Sequence, residues 1–288
     1  MDKKSLETFL DKIYFPDEYR PFVIPVVELI DRDFKDEYRL LDSDRLNEEH
    51  YAHMAEITGT HYDLCMLALF ILMGMDSKKR YDEMGIDEDI YYACMKEITI
   101  WSKRCYKDRG HVGTYGHEWH NNFFVPKVFR LGRLEFEEKL LLDINYTVDG
   151  VTYVKDTPCL NVHIPEDGKL SHDDVLDAYK RAYKFFGLKG NYPFVCHTWM
   201  LYPGNRDFMD PDSNVMKFMN DYEVLLKWDE VNYGGLWRVF GRHDSYDPDT
   251  LPADTKLQRD LIAYLKSNGN VYGAGYGIFI HNGEKILK

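Results

Sequence analysis

The sequence predicts an α+β fold made of two domains, and two patterns support this prediction. Residues 1–115 carry apolar side chains at three- and four-residue spacing, which is typical of amphipathic helices. Residues 116–288 instead interleave strand-like and helix-like segments. We place the boundary in RGHVGTYG, 109–116, where glycines interrupt the helical pattern. A chain of 288 residues is long enough for two such domains.

The first domain is predicted to contain five helices, in SLETFLDKIYF, FVIPVVELIDRDF, EEHYAHMAEITG, HYDLCMLALFILMG and DEDIYYACMKEITIWSKRCY. Asp87 is the better N-cap candidate, and Ser5 is a weaker one. The most apolar run, LCMLALFILMGM at 64–75, is shorter than the roughly 20 residues that cross a bilayer. We therefore expect it to form a buried core helix.

Compartment and partners are indicated by the start of the chain, the cysteines and the charge. MDKKSLETFLDKIYF lacks the apolar region of a signal peptide, and the five cysteines are odd in number without CxxC spacing. We expect a cytoplasmic protein with reduced thiols. The net charge of −13, without a run of Lys or Arg, argues against nucleic acid and against an anionic membrane as partners.

The second domain is predicted to open with a strand in FRLGRLEFE, 129–137, and an Asp-Gly turn in VDGV, 148–151. Further strands are predicted in CLNVHIP, FVCHTWML, LWRVFG and VYGAGYGIFI. Helices are predicted in SHDDVLDAYKRAYKFF, SNVMKFMNDYEVLLKW and LPADTKLQRDLIAYLKSNG, the first of them capped by Ser171. This order combines a meander with helical crossovers, so we expect a mixed sheet.

Four segments carry a family resemblance: FRLGRLEFE, LNVHIP, CHTWMLYP and LPADTKLQRDLIAYLKSNG, in that order. The chain resembles a bacterial family of acyltransferase domain-containing proteins over nearly its whole length, most strongly from about 85 to 281. These proteins join a helical N-acyltransferase N-terminal domain to a domain like the GNAT-type N-acetyltransferases. The resemblance implies a helical domain packed on a GNAT-like sheet. It also implies acyl transfer from acetyl-CoA or another thioester to an amine of a small-molecule acceptor.

The resemblance also implies where a cofactor would bind. CLNVHIP would be the central strand, and the helix after it would face the cofactor pyrophosphate with its N-terminus. FVCHTWML would be the next strand, splayed from the first to admit the pantetheine arm. The residues implied for cofactor binding are Asn161, Ile164, Gly168, Lys169, Leu170 and Ser171.

One segment departs from the family pattern. GNAT proteins carry a Gly-rich loop between this strand and helix, whereas this chain has PEDGKLSHDD, with Gly168 alone and several acids. We expect such a loop to repel a diphosphate, with Lys169 and the helix amides offsetting part of the repulsion. The alternative function is therefore a non-catalytic GNAT-like protein that binds a small cationic ligand or a basic partner.

Candidate catalytic residues lie on the polar faces of two predicted strands. Asn161 and His163 share one face of CLNVHIP, and Arg133 and Glu135 share one face of FRLGRLEFE. If the strands are neighbours, a carboxylate beside the imidazole makes a general base for an ammonium acceptor. We expect His163 to be the base, Glu135 to orient it, and Arg133 to pair with Glu135 or a substrate carboxylate. The alternative is a purely structural polar network.

Other motifs predict less chemistry. GHEWHNN, 116–122, misses the zinc spacing because His117 and His120 are three apart and only His111 is near in sequence, so no metal is expected. Cys196 and His197 are adjacent and point to opposite strand faces, so we expect a buried thiol and a packed imidazole. The alternate glycines of VYGAGYGIF predict close approach of a ligand or another backbone.

Overall fold

The computed structural model describes residues 2–40 and 48–288, and the chain divides into two compact units. The first unit comprises Met1–Arg130 and the short segment Pro165–Asp167, and the second comprises Leu131–Ile164 and Gly168–Lys288. The first is helical and the second contains a mixed sheet, which confirms the predicted α+β class. The first unit continues past the predicted domain boundary at 115/116, which stays a prediction.

The helical unit contains seven α-helices among its described residues: α1 Lys3–Lys12, α2 Arg20–Asp33, α3 Lys35–Arg39, α4 Glu48–Thr58, α5 Tyr62–Glu83, α6 Glu88–Arg109 and α7 His117–Phe124. All five predicted helices are present. Asp2, not Ser5, caps α1, because its carboxylate accepts from the Lys4 and Ser5 amides. Asp87 occupies the N-cap position of α6 without a side-chain hydrogen bond.

The core of the helical unit is built on α5. Its apolar run is buried from residue 65 to residue 74, as predicted. Tyr91 of α6 donates to the carbonyl of Gly74 at 2.8 Å, and Tyr81 of α5 donates to the carbonyl of Phe123 in α7 at 2.9 Å. Across the described residues, no single helix has the length and apolar character of a membrane span, and only α4 with α5, bent by 104°, passes that test jointly.

The strands are β1 Val128–Leu131, β2 Leu134–Leu140, β3 Tyr146–Val148, β4 Val151–Tyr153, β5 Pro158–His163, β6 Tyr192–Thr198, β7 Glu223–Val231, β8 Val271–His281 and β9 Ile286–Leu287. In the sheet unit, β2, β5, β6, β8 and β7 lie side by side in that order. The pair β5–β6 is parallel, and the pairs β2–β5, β6–β8 and β7–β8 are antiparallel. The sheet is therefore mixed, as predicted.

One segment predicted as a single strand forms two strands in the structure. FRLGRLEFE is split into β1 and β2 by a turn at Gly132 and Arg133, with Gly132 at φ +78°. A left-handed backbone conformation suits glycine, which has no Cβ. The predicted Asp-Gly turn is confirmed between β3 and β4, where Asp149 and Gly150 both have positive φ.

The helices of the sheet unit are α8 His172–Phe185, α9 Asn214–Met219, α10 Trp237–Phe240 and α11 Lys256–Ser267. The predictions of α8 and α11 are confirmed. The helix predicted in SNVMKFMNDYEVLLKW is wrong beyond Met219, since β7 begins at Glu223 and pairs with β8 along its length. The strand predicted in LWRVFG is also wrong, because this segment forms α10. Short apolar runs fit either structure, and pairing with a neighbour decides between them.

Both faces of the sheet are packed. On one face, the ring of Tyr179 in α8 meets Phe136 and Phe194 edge-on and Phe279 at a tilt. The β3–β4 hairpin covers part of the other face, where Val195 and Ile278 are buried. Another backbone approaches the alternate glycines of β8 closely, since a Cβ at Gly275 would overlap the carbonyl oxygen of Leu201.

The five cysteines, at positions 65, 94, 105, 159 and 196, are buried thiols and form no disulfides with one another. Burial raises the pKa of the Cys105 and Cys159 thiols to about 12. The thiols are therefore protonated at neutral pH, and the prediction of a buried Cys196 is confirmed.

Candidate active site

The parallel strands β5 and β6 separate near the middle of the sheet. Their ladder pairs Leu160 with Phe194 and Asn161 with Val195. Although β5 continues to His163 and β6 to Thr198, the described residues show no further pairing between them. This matches the splay that the family resemblance predicts. Strand ends that separate leave backbone N–H and C=O groups that a ligand can bind.

A histidine, a glutamate and an asparagine meet beside the parting strands. His163 Nε2 lies 2.9 Å from Glu137 Oε1, and Asn161 donates its amide to the same oxygen at 3.0 Å. The register explains the contact, because Glu137 lies opposite Asn161 and therefore diagonal to His163 on the same face. Lys139 adds an ion pair to the second oxygen of Glu137 at 3.3 Å.

The charge of Glu137 determines which nitrogen of His163 carries a hydrogen. Burial alone would raise the pKa of Glu137, but hydrogen bonds from His163 and Asn161 outweigh it and lower the pKa below its usual value. Nε2 of His163 lies 2.9 Å from the Glu137 carboxylate, which only accepts, and 3.1 Å from the Asn161 amide nitrogen, which only donates. A hydrogen bond to Glu137 therefore requires a hydrogen on Nε2.

Of the predicted catalytic residues, Glu135 lies next to His163 in the sheet, whereas Arg133 does not lie on a strand. Glu135 lies directly opposite His163 in the register and is 1% exposed, so its role as the orienting group stays a prediction. The sequence placed Glu137 on the correct face but could not select it, because a strand pattern gives faces and not the register between strands. The prediction that Arg133 lies on a strand face is wrong, since it belongs to the β1–β2 turn.

Arg133 instead holds the predicted cofactor loop. Its Nε donates to the carbonyl of Lys169 at 2.9 Å, and its Nη2 donates to that of Gly168 at 3.0 Å. Gly168 and Lys169 are exposed, while Leu170 is buried. Ser171 is at the N-cap of α8, as predicted, but its hydroxyl makes no capping hydrogen bond. Ile164 is half-buried at the end of β5.

The acids that begin this loop are neutralised within the helical unit. Arg104 donates to Glu166 at 2.9 Å, and Asp167 is bound by Arg130 at 2.8 Å and by Lys96 at 2.9 Å. Burial would raise the pKa of Asp167, but these two cations outweigh it and lower the pKa to about 2. The charges of Glu166 and Asp167 are thus offset by cations from α6 and β1, which the sequence could not assign to these acids.

The histidines of GHEWHNN belong to none of the possible ligand clusters among the residues that the structure describes. His120 is buried, its Nδ1 lies 3.0 Å from the carbonyl of Gly116, and burial lowers its pKa to about 4. Elsewhere in the helical unit, ligand atoms of His61, Asp63 and His111 lie within 4.8 Å of one another. Arg109 already contacts both oxygens of Asp63 at 2.7 Å, so a guanidinium neutralises this carboxylate.

His197 lies on the same sheet face as His163. It is exposed, so the prediction of a packed imidazole is wrong. Its ring lies edge-on to that of Trp228 in β7, with centroids 4.6 Å apart. The splayed strands are therefore flanked on this face by an imidazole and a partly exposed indole.

Comparison with known families agrees with this architecture. Residues 4–125 match the N-acyltransferase N-terminal domain, and residues 128–279 match the GNAT-like C-terminal domain. The chain belongs to the GNAT-like family. The resemblance read from the sequence is thereby confirmed, and β5, α8 and β6 of the GNAT-like domain all lie within the matched range.

Solved structures share the fold of this GNAT-like chain. An acyltransferase in complex with decanoyl-CoA and teicoplanin is 20% identical, with a TM-score of 0.73 over 94% of this chain and 86% of that one. An acyltransferase mutant in complex with octanoyl-CoA is 19% identical, with a TM-score of 0.75 over 96% of this chain and 88% of that one. A search of curated proteins finds no significant match.

Proposed function

We propose that this chain is an acyltransferase that moves an acyl group from a coenzyme A thioester to an amine of a small-molecule acceptor. The observation that carries the proposal is the parting of β5 and β6 beside the His163–Glu137 pair. Family membership supports it, as do structures of the same fold that hold decanoyl-CoA or octanoyl-CoA. We expect neither nucleic acid nor membrane as a partner, and a cytoplasmic location.

The donor would occupy the gap between the parting strands. Backbone groups at Asn161 to Ile164 are placed to bind the pantetheine arm and to donate to the thioester oxygen. The loop Gly168–Ser171 and the first turn of α8 would bind the diphosphate through backbone amides. No metal is required for this chemistry.

The proposed reaction uses His163 as general base. An ammonium acceptor loses a proton to the imidazole of His163, and Glu137, 2.9 Å from Nε2, stabilises the resulting imidazolium. The free amine attacks the thioester carbonyl, a C–N bond forms, and the C–S bond breaks. The attacking nitrogen gives its second proton to the departing thiolate, and the imidazolium releases its proton to solvent. The products are an amide and coenzyme A. Glu135, opposite His163, is proposed as a second orienting group.

A non-catalytic binding protein is the less favoured function. That alternative depended on the acidic loop, and the ion pairs of Glu166 and Asp167 remove its main argument. The family match and the acyl-CoA complexes of the same fold also favour transfer.

Donor binding gives the first test. Isothermal titration with octanoyl-CoA is expected to show binding, and saturation at 100 times the dissociation constant should add about 2.7 kcal/mol to the free energy of unfolding. Mass spectrometry of a panel of primary amines incubated with enzyme and octanoyl-CoA should then reveal an acylated product. A chain that binds no coenzyme A thioester would contradict the proposal.

A further inference from the structure

Arg133 donates hydrogen bonds to the carbonyls of two consecutive residues in the loop that precedes α8. The donors are Nε and Nη2, and the acceptors are the carbonyls of Lys169 and Gly168, at 2.9 and 3.0 Å. One planar guanidinium thus fixes the orientation of two adjacent peptide planes.

The two fixed planes determine where two amides point. In a trans peptide the N–H lies opposite the C=O, and the described chain has no cis bonds. The plane that contains the Gly168 carbonyl contains the Lys169 amide, and the next plane contains the Leu170 amide. Both amides therefore point away from the guanidinium. Both N–H groups are thus on the side of the loop where an anion can accept from them without meeting the guanidinium.

The amides have room and are not otherwise engaged. Among the residues that the structure describes, neither the Lys169 amide nor the Leu170 amide donates to a backbone carbonyl. Gly168 opens to free space, since a Cβ there would meet nothing within 4 Å. Leu170 is buried and anchors the loop at its other end. The loop is thus open at Gly168 and anchored at Leu170.

We propose that Arg133 is a positioning residue that orients the Lys169 and Leu170 amides toward the diphosphate of the acyl donor. The inference rests on the proposed function and deepens it, because it assigns donor selection to one side chain. The enzyme would then prefer a thioester that carries the diphosphate over the same acyl group on bare pantetheine.

The test compares octanoyl-CoA with octanoyl-pantetheine, which lacks the diphosphate. Arg133→Gln removes the guanidinium that donates to both carbonyls. Arg133→Lys keeps a positive charge but lacks the planar group that can donate to both carbonyls at once. Loss of two hydrogen bonds to a charged donor is expected to weaken octanoyl-CoA binding about tenfold or more in both variants. Binding of octanoyl-pantetheine should remain within about twofold of wild type.

Arg259 offers a matched control in the same unit. Its Nη1 donates to the carbonyls of Ala253 and Asp254, both at 2.9 Å, at the start of α11. Arg259→Gln removes a similar pair of hydrogen bonds away from the proposed site. It should change the affinity for neither octanoyl-CoA nor octanoyl-pantetheine.

The outcomes separate this inference from the proposed function. Wild-type protein that binds no coenzyme A thioester would refute the proposed function and this inference with it. If wild type binds octanoyl-CoA but Arg133→Gln weakens both donors equally, or neither, the positioning role is wrong. If Arg133→Lys keeps full affinity while Arg133→Gln loses it, Arg133 acts by its charge and not by orienting the amides.

Discussion

Two carboxylates, one in each unit, show how similar burial serves different ends. The side chains of Asp167 in the helical unit and Glu137 in the sheet unit are 11% and 13% exposed. In both, hydrogen bonds outweigh burial and lower the pKa. Asp167 is held by Arg130 and Lys96, whereas Glu137 is held mainly by His163 and Asn161.

The two carboxylates differ in the groups that bind them. Arg and Lys keep their charge throughout the physiological range, so the Asp167 cluster cannot exchange a proton there. An imidazole can both accept and donate a proton, so the Glu137 cluster is suited to proton transfer. We therefore expect substitutions at Asp167 to change stability and substitutions at the Glu137 cluster to change activity.

The largest expected effect is on the rate of acyl transfer when His163 of the Glu137 cluster is replaced. His163→Gln should lower acyl transfer by about 10²–10⁴-fold, because it removes the general base. His111→Gln is the matched control, since His111 makes a similar contact with Asp63 at 2.8 Å in the helical unit. Initial rates with octanoyl-CoA and an accepted amine should fall only for His163→Gln. Equal rates in the two variants would contradict a catalytic His163.

The next effect tests the structural cluster. Asp167→Asn should lower the free energy of unfolding by about 2 kcal/mol at neutral pH, since the folded-state pKa near 2 lies below the usual 3.8. A lowered carboxylate pKa stabilises the fold above pH 4, and this contribution is lost as pH falls toward 2.

Urea denaturation at pH 7 and at pH 2.5 measures this loss, and the difference between wild type and Asp167→Asn should shrink at the lower pH. Asp36→Asn, at an exposed ion pair of 3.8 Å with Arg39, should leave stability unchanged. A pH-independent difference for Asp167→Asn would exclude an electrostatic origin.

The smallest effect identifies the orienting carboxylate. Glu137→Gln keeps a hydrogen-bond acceptor for His163 but removes the charge that stabilises its imidazolium, so we expect a fall of about tenfold in kcat. Glu135→Gln is the informative partner variant, because Glu135 lies opposite His163 in the register. A larger fall for Glu135→Gln than for Glu137→Gln would return the orienting role to Glu135.

Regular periodicity made much of the fold predictable. The helices of the first unit, α8 and α11, and the strands β5 and β8 each carry a local pattern that their surroundings do not override. The misassigned segments depended on distant partners. β7 is a strand because it pairs with β8, and LWRVFG is too short for its pattern to decide.

The site was predictable only in part, for a related reason. His163 and Asn161 follow from strand alternation, but the contact with Glu137 depends on the β2–β5 register. The role of Arg133 depends on a turn that closes at Gly132 and brings it to a loop 35 residues away. Neither long-range relation leaves a signal in a single sequence.

The burial of every thiol has a practical consequence. Cys65, Cys94 and Cys105 report on the helical unit, and Cys159 and Cys196 report on the sheet unit. A thiol-reactive dye can label each position only when its surroundings open transiently. Site-resolved labelling kinetics, with and without octanoyl-CoA, would thus map which half of the protein a donor protects, without any engineered probe.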